Sequence, residues 1–284
     1  MDLGGTLRTA FNGAQPSARI IQVSLDHILH NGWSADHQAL PPVDLFLAAD
    51  PDATAAALLA HLPAGNPAAG AWDTPRPDPD APLAVPHLAA ALFEAVGGRP
   101  VSLLHLPLSW DGGFWPFRHP LDFLGSDGGG GIGGGPGISV GAALALRGSG
   151  RLPVSICGDG DFLMGVTALW TAVHYRIPLL IVVANNQSFF NDEVHQERMA
   201  RERGRPVENK WIGQRMTDPE LDLPGLARAQ GAQGFGPVRD VADLPGAFAA
   251  AIAAVEAGGV AVVDVRVAPG YTPAMASALV RHDK

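Results

Sequence analysis

Two short segments carry residues whose types and spacing suit joint chemistry: Gly158-Asp159-Gly160 and Asn185-Asn186. Magnesium takes oxygen ligands in near-octahedral geometry and is usually held by one or two protein oxygens plus phosphate oxygens of a ligand. Asp159 offers a carboxylate and Asn186 a neutral amide oxygen. A second carboxylate at position 186 would add repulsion against a ligand already rich in negative charge. Gly158 and Gly160 leave room for backbone to approach phosphate oxygens closely. The chemistry these residues predict is magnesium-assisted binding of a diphosphate.

The elements around them must bring the two segments together. Leu152-Pro-Val-Ser-Ile-Cys157 is an apolar run that suits a buried parallel strand, with Asp159 at its carboxyl end. Between Gly165 and Tyr175, the residues Val166, Leu169, Trp170 and Val173 fall at helical spacing, and Pro178 stops the helix. Leu179-Leu-Ile-Val-Val-Ala184 is a second buried strand that delivers Asn185 and Asn186 to the same edge of the sheet. In open α/β sheets that edge is where ligands bind.

These motifs resemble the carboxyl-terminal half of the thiamine-diphosphate enzymes that include acetolactate synthase, benzoylformate decarboxylase and pyruvate decarboxylase. The resemblance implies that Asp159, the Asn186 side chain and the backbone carbonyl of Ser188 hold Mg2+, while Gly158 and Gly160 border the diphosphate. Asp161-Phe-Leu-Met-Gly165 is similar to the acetolactate-synthase variant. Asp161, counted with the cofactor-binding residues, stands where the family has a small residue. Its carboxylate is expected either to turn away from the phosphates or to bind a water on the metal.

Upstream, Gly125-Ser-Asp-Gly-Gly-Gly-Gly-Ile-Gly-Gly-Gly-Pro136 precedes a small-residue helix from Ile138 to Leu146. It resembles the family's glycine-rich turn around the bent middle of the cofactor. On that match Ile132 is the bulky residue between the two cofactor rings. Gly130 offers a carbonyl to the aminopyrimidine, and Gly131 belongs to the same turn. Ser109, Trp110 and Asp111 match an earlier loop that touches the diphosphate.

Other spellings in the chain have weaker physical support. Gly129-x-Gly131-x-x-Gly134 matches a dinucleotide fingerprint by letter, yet no clear strand precedes it and no acidic residue follows at about 20 residues. Gly137-Ile-Ser139-Val-Gly141 spells a nucleophile elbow, but glycines and Pro136 precede it where an elbow needs a strand. Asn186-Gln-Ser188 is also a glycosylation sequon by spelling.

His27, His30 and His37 cluster with Asp36, a pattern that reads as a polar loop before a metal site because it lacks cysteines and regular helical spacing. His195, in Asn191-Asp-Glu-Val-His-Gln196, follows the magnesium loop, where relatives place residues that cover the reacting centre. It is a catalytic candidate alongside Ile132, and an exposed helix is the competing reading. Arg118 and His119 are lesser candidates for gripping a substrate carboxylate.

Composition bounds the function. Of 284 residues, 47% are hydrophobic and 17% charged, enough for a substantial core in one or two domains. A net charge of −9 without a basic run argues against nucleic acid as a partner. Cys157 is the single cysteine, so no intrachain disulfide forms, and its place in a strand makes it a core residue. No apolar run approaches a membrane span and the amino terminus lacks a leader pattern, so a cytoplasmic chain is expected.

The fold expected is an α/β, doubly wound, mostly parallel sheet preceded by the tail of a Rossmann-like middle domain. Residues 1–62 form that tail, with strands at 19–24 and 43–48 and a helix capped by Asp52. Residues 63–85 have linker composition, and 86–284 form the diphosphate-binding domain, with helices at 87–96 and 244–257 and strands at 101–106 and 260–267. Relatives carry an amino-terminal domain whose glutamate activates the cofactor. The resemblance therefore implies a separate pyrimidine-domain subunit, a hetero-oligomer, and a 2-oxo acid decarboxylase or carboligase working with thiamine diphosphate and Mg2+. Flavin is left open. A non-catalytic cofactor-binding or regulatory subunit is the alternative, and a serine hydrolase on Ser139 a more distant one.

Overall fold

The computed structural model describes residues 18–25, 29–31, 36–38, 43–63, 76–125 and 131–270, with backbone alone for 29–31 and 36–38. The chain divides into two units, Met1–Ala71 and Trp72–Lys284. In the first, β1 (Ile21–Val23) runs parallel to β4 (Leu45–Leu47), and β2 (Leu29–Asn31) pairs antiparallel with β3 (Asp36–Gln38). His27 and the side chains of His30, Asp36 and His37 lie outside the described residues.

Helix α1 spans Pro51–His61, and its cap corrects the sequence reading. Asp50, rather than Asp52, accepts the Ala53 N–H at 2.8 Å. Pro51 decides the register, because its fixed φ and missing N–H suit the first helical position and push the cap one residue before it. Asp52 falls in the first turn, where its charge favours the helix dipole.

The second unit follows an alternating order: α2 (Val85–Val96), β5 (Val101–Leu103), α3 (Gly135–Ala145), β6 (Leu152–Gly158), α4 (Asp159–Gly165), α5 (Ala168–His174), β7 (Leu179–Asn185), α6 (Phe190–Glu202), α7 (Leu223–Ala229), β8 (Gln233–Val238), α8 (Leu244–Glu256) and β9 (Val260–Arg266). The strands form one parallel sheet in the order β5-β6-β7-β9-β8. Two short helices lie between β6 and β7: α5 is the helix expected over 165–175, and α4 precedes it. Gly165 closes α4, as a residue about 1 kcal/mol less favourable than alanine inside a helix would.

Both faces of the sheet's centre are covered, which explains the mainly apolar runs of β6, β7 and β9. Leu180, Val182 and Ala184 of β7, with Ala261, Val263 and Val265 of β9, pack under α2 and α8. Leu179, Ile181 and Val183, with Val260 and Val262, pack under α3, α5 and α7. The period-two alternation of a strand divides its residues between two cores. Among the described residues, no helix is long and apolar enough to cross a membrane.

Candidate functional site

The site begins with strand register. Gly158 at the end of β6 pairs with Ala184 near the end of β7, so the residues that follow emerge side by side at the carboxyl edge. A cavity of about 340 Å³ opens there. Its lining includes Ser109, Gly131, Ile132, Gly158, Asp159, Gly160, Asp161, Asn186 and Ser188. Gly130 lies outside the described residues.

Asp159 and Asn186 aim oxygens at a common point. The Ser188 N–H is 3.1 Å from Asp159 Oδ2 and 3.0 Å from Asn186 Oδ1, so one donor gathers both acceptors. Asp159 Oδ1 accepts the Gly160 N–H at 2.8 Å. Asp159 is 4% exposed. Burial pushes its carboxyl up to about 6, even with the N–H groups of Gly160, Ser188 and Gln187 donating to it. No Lys, Arg or His forms an ion pair with it among the described residues. A buried, hydrogen-bonded carboxylate beside an amide oxygen is a donor set that fits a hard divalent cation.

The loop bearing these oxygens rests on a polar network behind it. Asn185 Nδ2 donates to Asp264 Oδ1 at 2.8 Å, while Asn185 Oδ1 accepts the Gln187 N–H at 3.0 Å. Gln187 adopts φ 60°, a left-handed conformation uncommon for a residue with a side chain. Arg266 reaches Glu220 at 2.6 Å and stands 3.9 Å from Asp264 Oδ2. Burial raises the Asp264 carboxyl, against the lowering effect of Asn185 and nearby arginines. Beyond the loop, Ser188 Oγ donates to Glu193 Oε1, and Arg215 lies 3.5 Å from the same carboxylate.

Phe189 packs directly on Gly160, where any Cβ would overlap its ring. The glycine is thus required by close approach. Phe189, Phe190, Asn191 and Asp192 add to the cavity wall. Ile132 lines the cavity and is 49% exposed, so its side chain is open to a molecule bound there. An apolar wedge left in solvent beside a cation-ready pair of oxygens fits a ligand with a charged end and an organic body.

Asp161 turns part of its carboxylate toward the glycine turn: Oδ1 accepts the N–H groups of Gly133 at 2.7 Å and Gly135 at 3.2 Å. His195 is exposed on α6 and outside the cavity lining. Arg118 and His119 are exposed too, and their backbone N–H groups both donate to Asp122 Oδ2 at 2.8 Å. Ser139 is fully buried, with Oγ 2.6 Å from the Gly135 carbonyl and 2.8 Å from Ser155 Oγ. It presents no exposed nucleophile. The sequence reading passed over His105, which lines the cavity, and the Asn185–Asp264 pair. Only the unusual charge at Asp161 hinted at a partner like His105.

The family model described as "Thiamine pyrophosphate enzyme, C-terminal TPP binding domain" matches residues 109–265. Benzoylformate decarboxylase from Pseudomonas aeruginosa is 31% identical over 110 residues, 38% of this chain and 17% of that protein. Acetolactate synthase 2, chloroplastic, from Brassica napus is 36% identical over 78 residues, 28% of this chain and 12% of that protein. Among solved structures, the thiamine diphosphate-dependent 4-hydroxybenzoylformate decarboxylase of Rhodococcus jostii RHA1 shares the fold, with a TM-score of 0.67 and 23% identity. The match covers 92% of this chain and 46% of that one. Benzoylformate decarboxylase from Polynucleobacter necessarius gives a TM-score of 0.67, 21% identity and the same coverage. The chain spans about half the length of these solved relatives, 46% in each.

Proposed function

Since the chain belongs to the thiamine pyrophosphate enzymes by its C-terminal cofactor-binding domain, we propose that it is the diphosphate-anchoring half of a 2-oxo acid decarboxylase or carboligase. In this reading Asp159, the Asn186 side chain and the Ser188 carbonyl hold Mg2+, and Gly158 and Gly160 border the diphosphate. Gly130, Gly131 and Ile132 shape the turn around the middle of the cofactor, with Ser109 on the far wall. A partner chain carrying a pyrimidine domain and its glutamate completes the site in a hetero-oligomer.

The observation that carries the reading is the convergence of Asp159 Oδ2 and Asn186 Oδ1 on the Ser188 N–H, at 3.1 and 3.0 Å. When bound, the cofactor supplies the carbanion chemistry of 2-oxo acids and the electron sink for carbon dioxide loss. This chain's residues do the rest. Asp159 and Asn186 would hold the Mg2+ whose charge offsets that of the diphosphate and so orient the charged end, Ile132 holds the organic body in shape, and Phe189 and Phe190 exclude water from the wall. The similarity to acetolactate synthase around Asp161–Gly165 favours carboligation over simple protonation of the product.

Calorimetric titration of thiamine diphosphate with Mg2+ tests this, on the chain alone and mixed with a candidate pyrimidine-domain protein. Binding that tightens in the mixture, followed by turnover of a 2-oxo acid, is the expected outcome. Binding without turnover in any mixture would favour a non-catalytic subunit, and no binding in either would overturn the proposal.

A further inference from the structure

Asp161 stands at the meeting point of three elements. Its backbone belongs to α4, its Oδ1 accepts from Gly133 and Gly135 at the start of α3, and His105, two residues past β5, brings Nε2 to 3.2 Å from its Oδ2. Both side chains are mostly buried, 16% exposed for His105 and 12% for Asp161, yet both reach the cavity wall. Gly135 is held so close that a Cβ there would overlap Asp161 Oδ2 and come within 2.9 Å of the His105 ring. Gly133 has φ +93°, so the turn around Ile132 uses a backbone shape open to glycine. The Gly134 N–H donates to the Gly131 carbonyl at 3.3 Å, which closes the turn on itself.

We infer that His105 and Asp161 act together as positioning residues that latch the Gly131–Gly135 turn, and with it Ile132, in the shape the site requires. The inference deepens the function proposed above and rests on it for the meaning of Ile132. The physics is that of a charged acceptor: a carboxylate taking two backbone N–H groups makes bonds stronger than neutral ones. Burial alone would raise the Asp161 carboxyl, but the His105 imidazole and the two N–H groups bring it below its ordinary value. The second oxygen, Oδ2, is buried without a hydrogen bond of good geometry, with the His105 ring 3.2 Å away. Cys157 brings its sulfur to the same spot, within 4.8 Å of the His105 and Asp161 ligand atoms. Burial, and then the charge of Asp161, push that thiol upward, so it keeps its proton and packs as a core side chain.

Amide hydrogen exchange, followed by NMR on the full chain without cofactor, reads the latch directly. Asp161→Ala is expected to speed exchange at Gly133 and Gly135 by roughly tenfold or more, while amides in β6 and β7 stay protected. Asp161→Asn, which keeps one acceptor, should restore most of the protection, and His105→Gln should fall between. Unchanged exchange at Gly133 and Gly135 in folded Asp161→Ala would overturn the inference. So would Asp161→Asn exchanging as fast as Asp161→Ala at those two amides. Because no cofactor is present, these outcomes are independent of the proposed function. Calorimetry with thiamine diphosphate and Mg2+ on the same variants then shows whether the loosened turn weakens binding.

Discussion

Asn185 donates its side-chain amide to Asp264 across 2.8 Å, joining β7 to β9 directly beneath the turn that carries Asn186. Asp264 is fully buried and Asn185 nearly so. Deleting one partner of a buried hydrogen bond leaves the other without water or protein to replace it. Asp264→Ala should therefore lower unfolding stability by about 1–3 kcal/mol in urea denaturation. It should also weaken Mg2+-dependent cofactor binding, because Asn185 no longer fixes the Gln187 N–H.

Asp159→Ala should remove magnesium dependence from cofactor binding. Loss of groups that merely support a metal ligand costs 10–100-fold in affinity, so losing the carboxylate itself should cost at least roughly 100-fold. Isothermal calorimetry with and without Mg2+ measures this, and unchanged affinity would remove Asp159 from the metal.

Ile132→Ala tests a different role. On the proposed function the diphosphate end would stay anchored by Asp159 and Asn186, so affinity should change little, while turnover in the completed assembly should fall by roughly 10- to 100-fold from poorer alignment. His195→Ala, an exposed position on α6, should leave cofactor affinity unchanged.

Acid sensitivity should appear at Asp122. Burial there acts to raise its carboxyl, but the N–H groups of Arg118 and His119 and the Arg151 guanidinium hold it below its ordinary value of 3.8. A carboxyl lowered in the folded state contributes stability that is present above the unfolded value and lost as pH falls through the folded one. The stability difference between wild type and Asp122→Asn should be constant above about pH 5 and shrink below about pH 4. Urea midpoints measured across that range check the sign.

Much of the sheet was legible because it is buried on both faces. Leu152–Cys157 and Leu179–Ala184 are apolar runs, Val260–Val267 is one broken only by Asp264 and Arg266, and each became a strand within a residue or two of its expected bounds. The edge strand Gln233–Val238 was not legible, since it is half exposed and contains Gly234, Gly236 and Pro237. Helix α6 was legible only as the exposed helix weighed for His195, without bounds, because Phe190–Glu202 is largely polar and no apolar stripe marks it. At the site, Asp159 and Asn186 could be found because their strands end next to them. His105 could not, because its contact with Asp161 joins segments far apart in sequence, and a lone histidine after a short strand carries no periodic signal.

The two cores beneath this sheet have a consequence for how the family's chemistry can diversify. Successive residues of β7 face opposite layers, so a slip of one position would exchange every side chain between them at once. The relative height of Asp159 and Asn186 is therefore set first by the interior side chains that fix the strand register. A wall residue such as Asp192 can change through substitution while Asp159 and Asn186 keep their spacing. New substrates would be acquired by redecorating a rim whose foundations do not move.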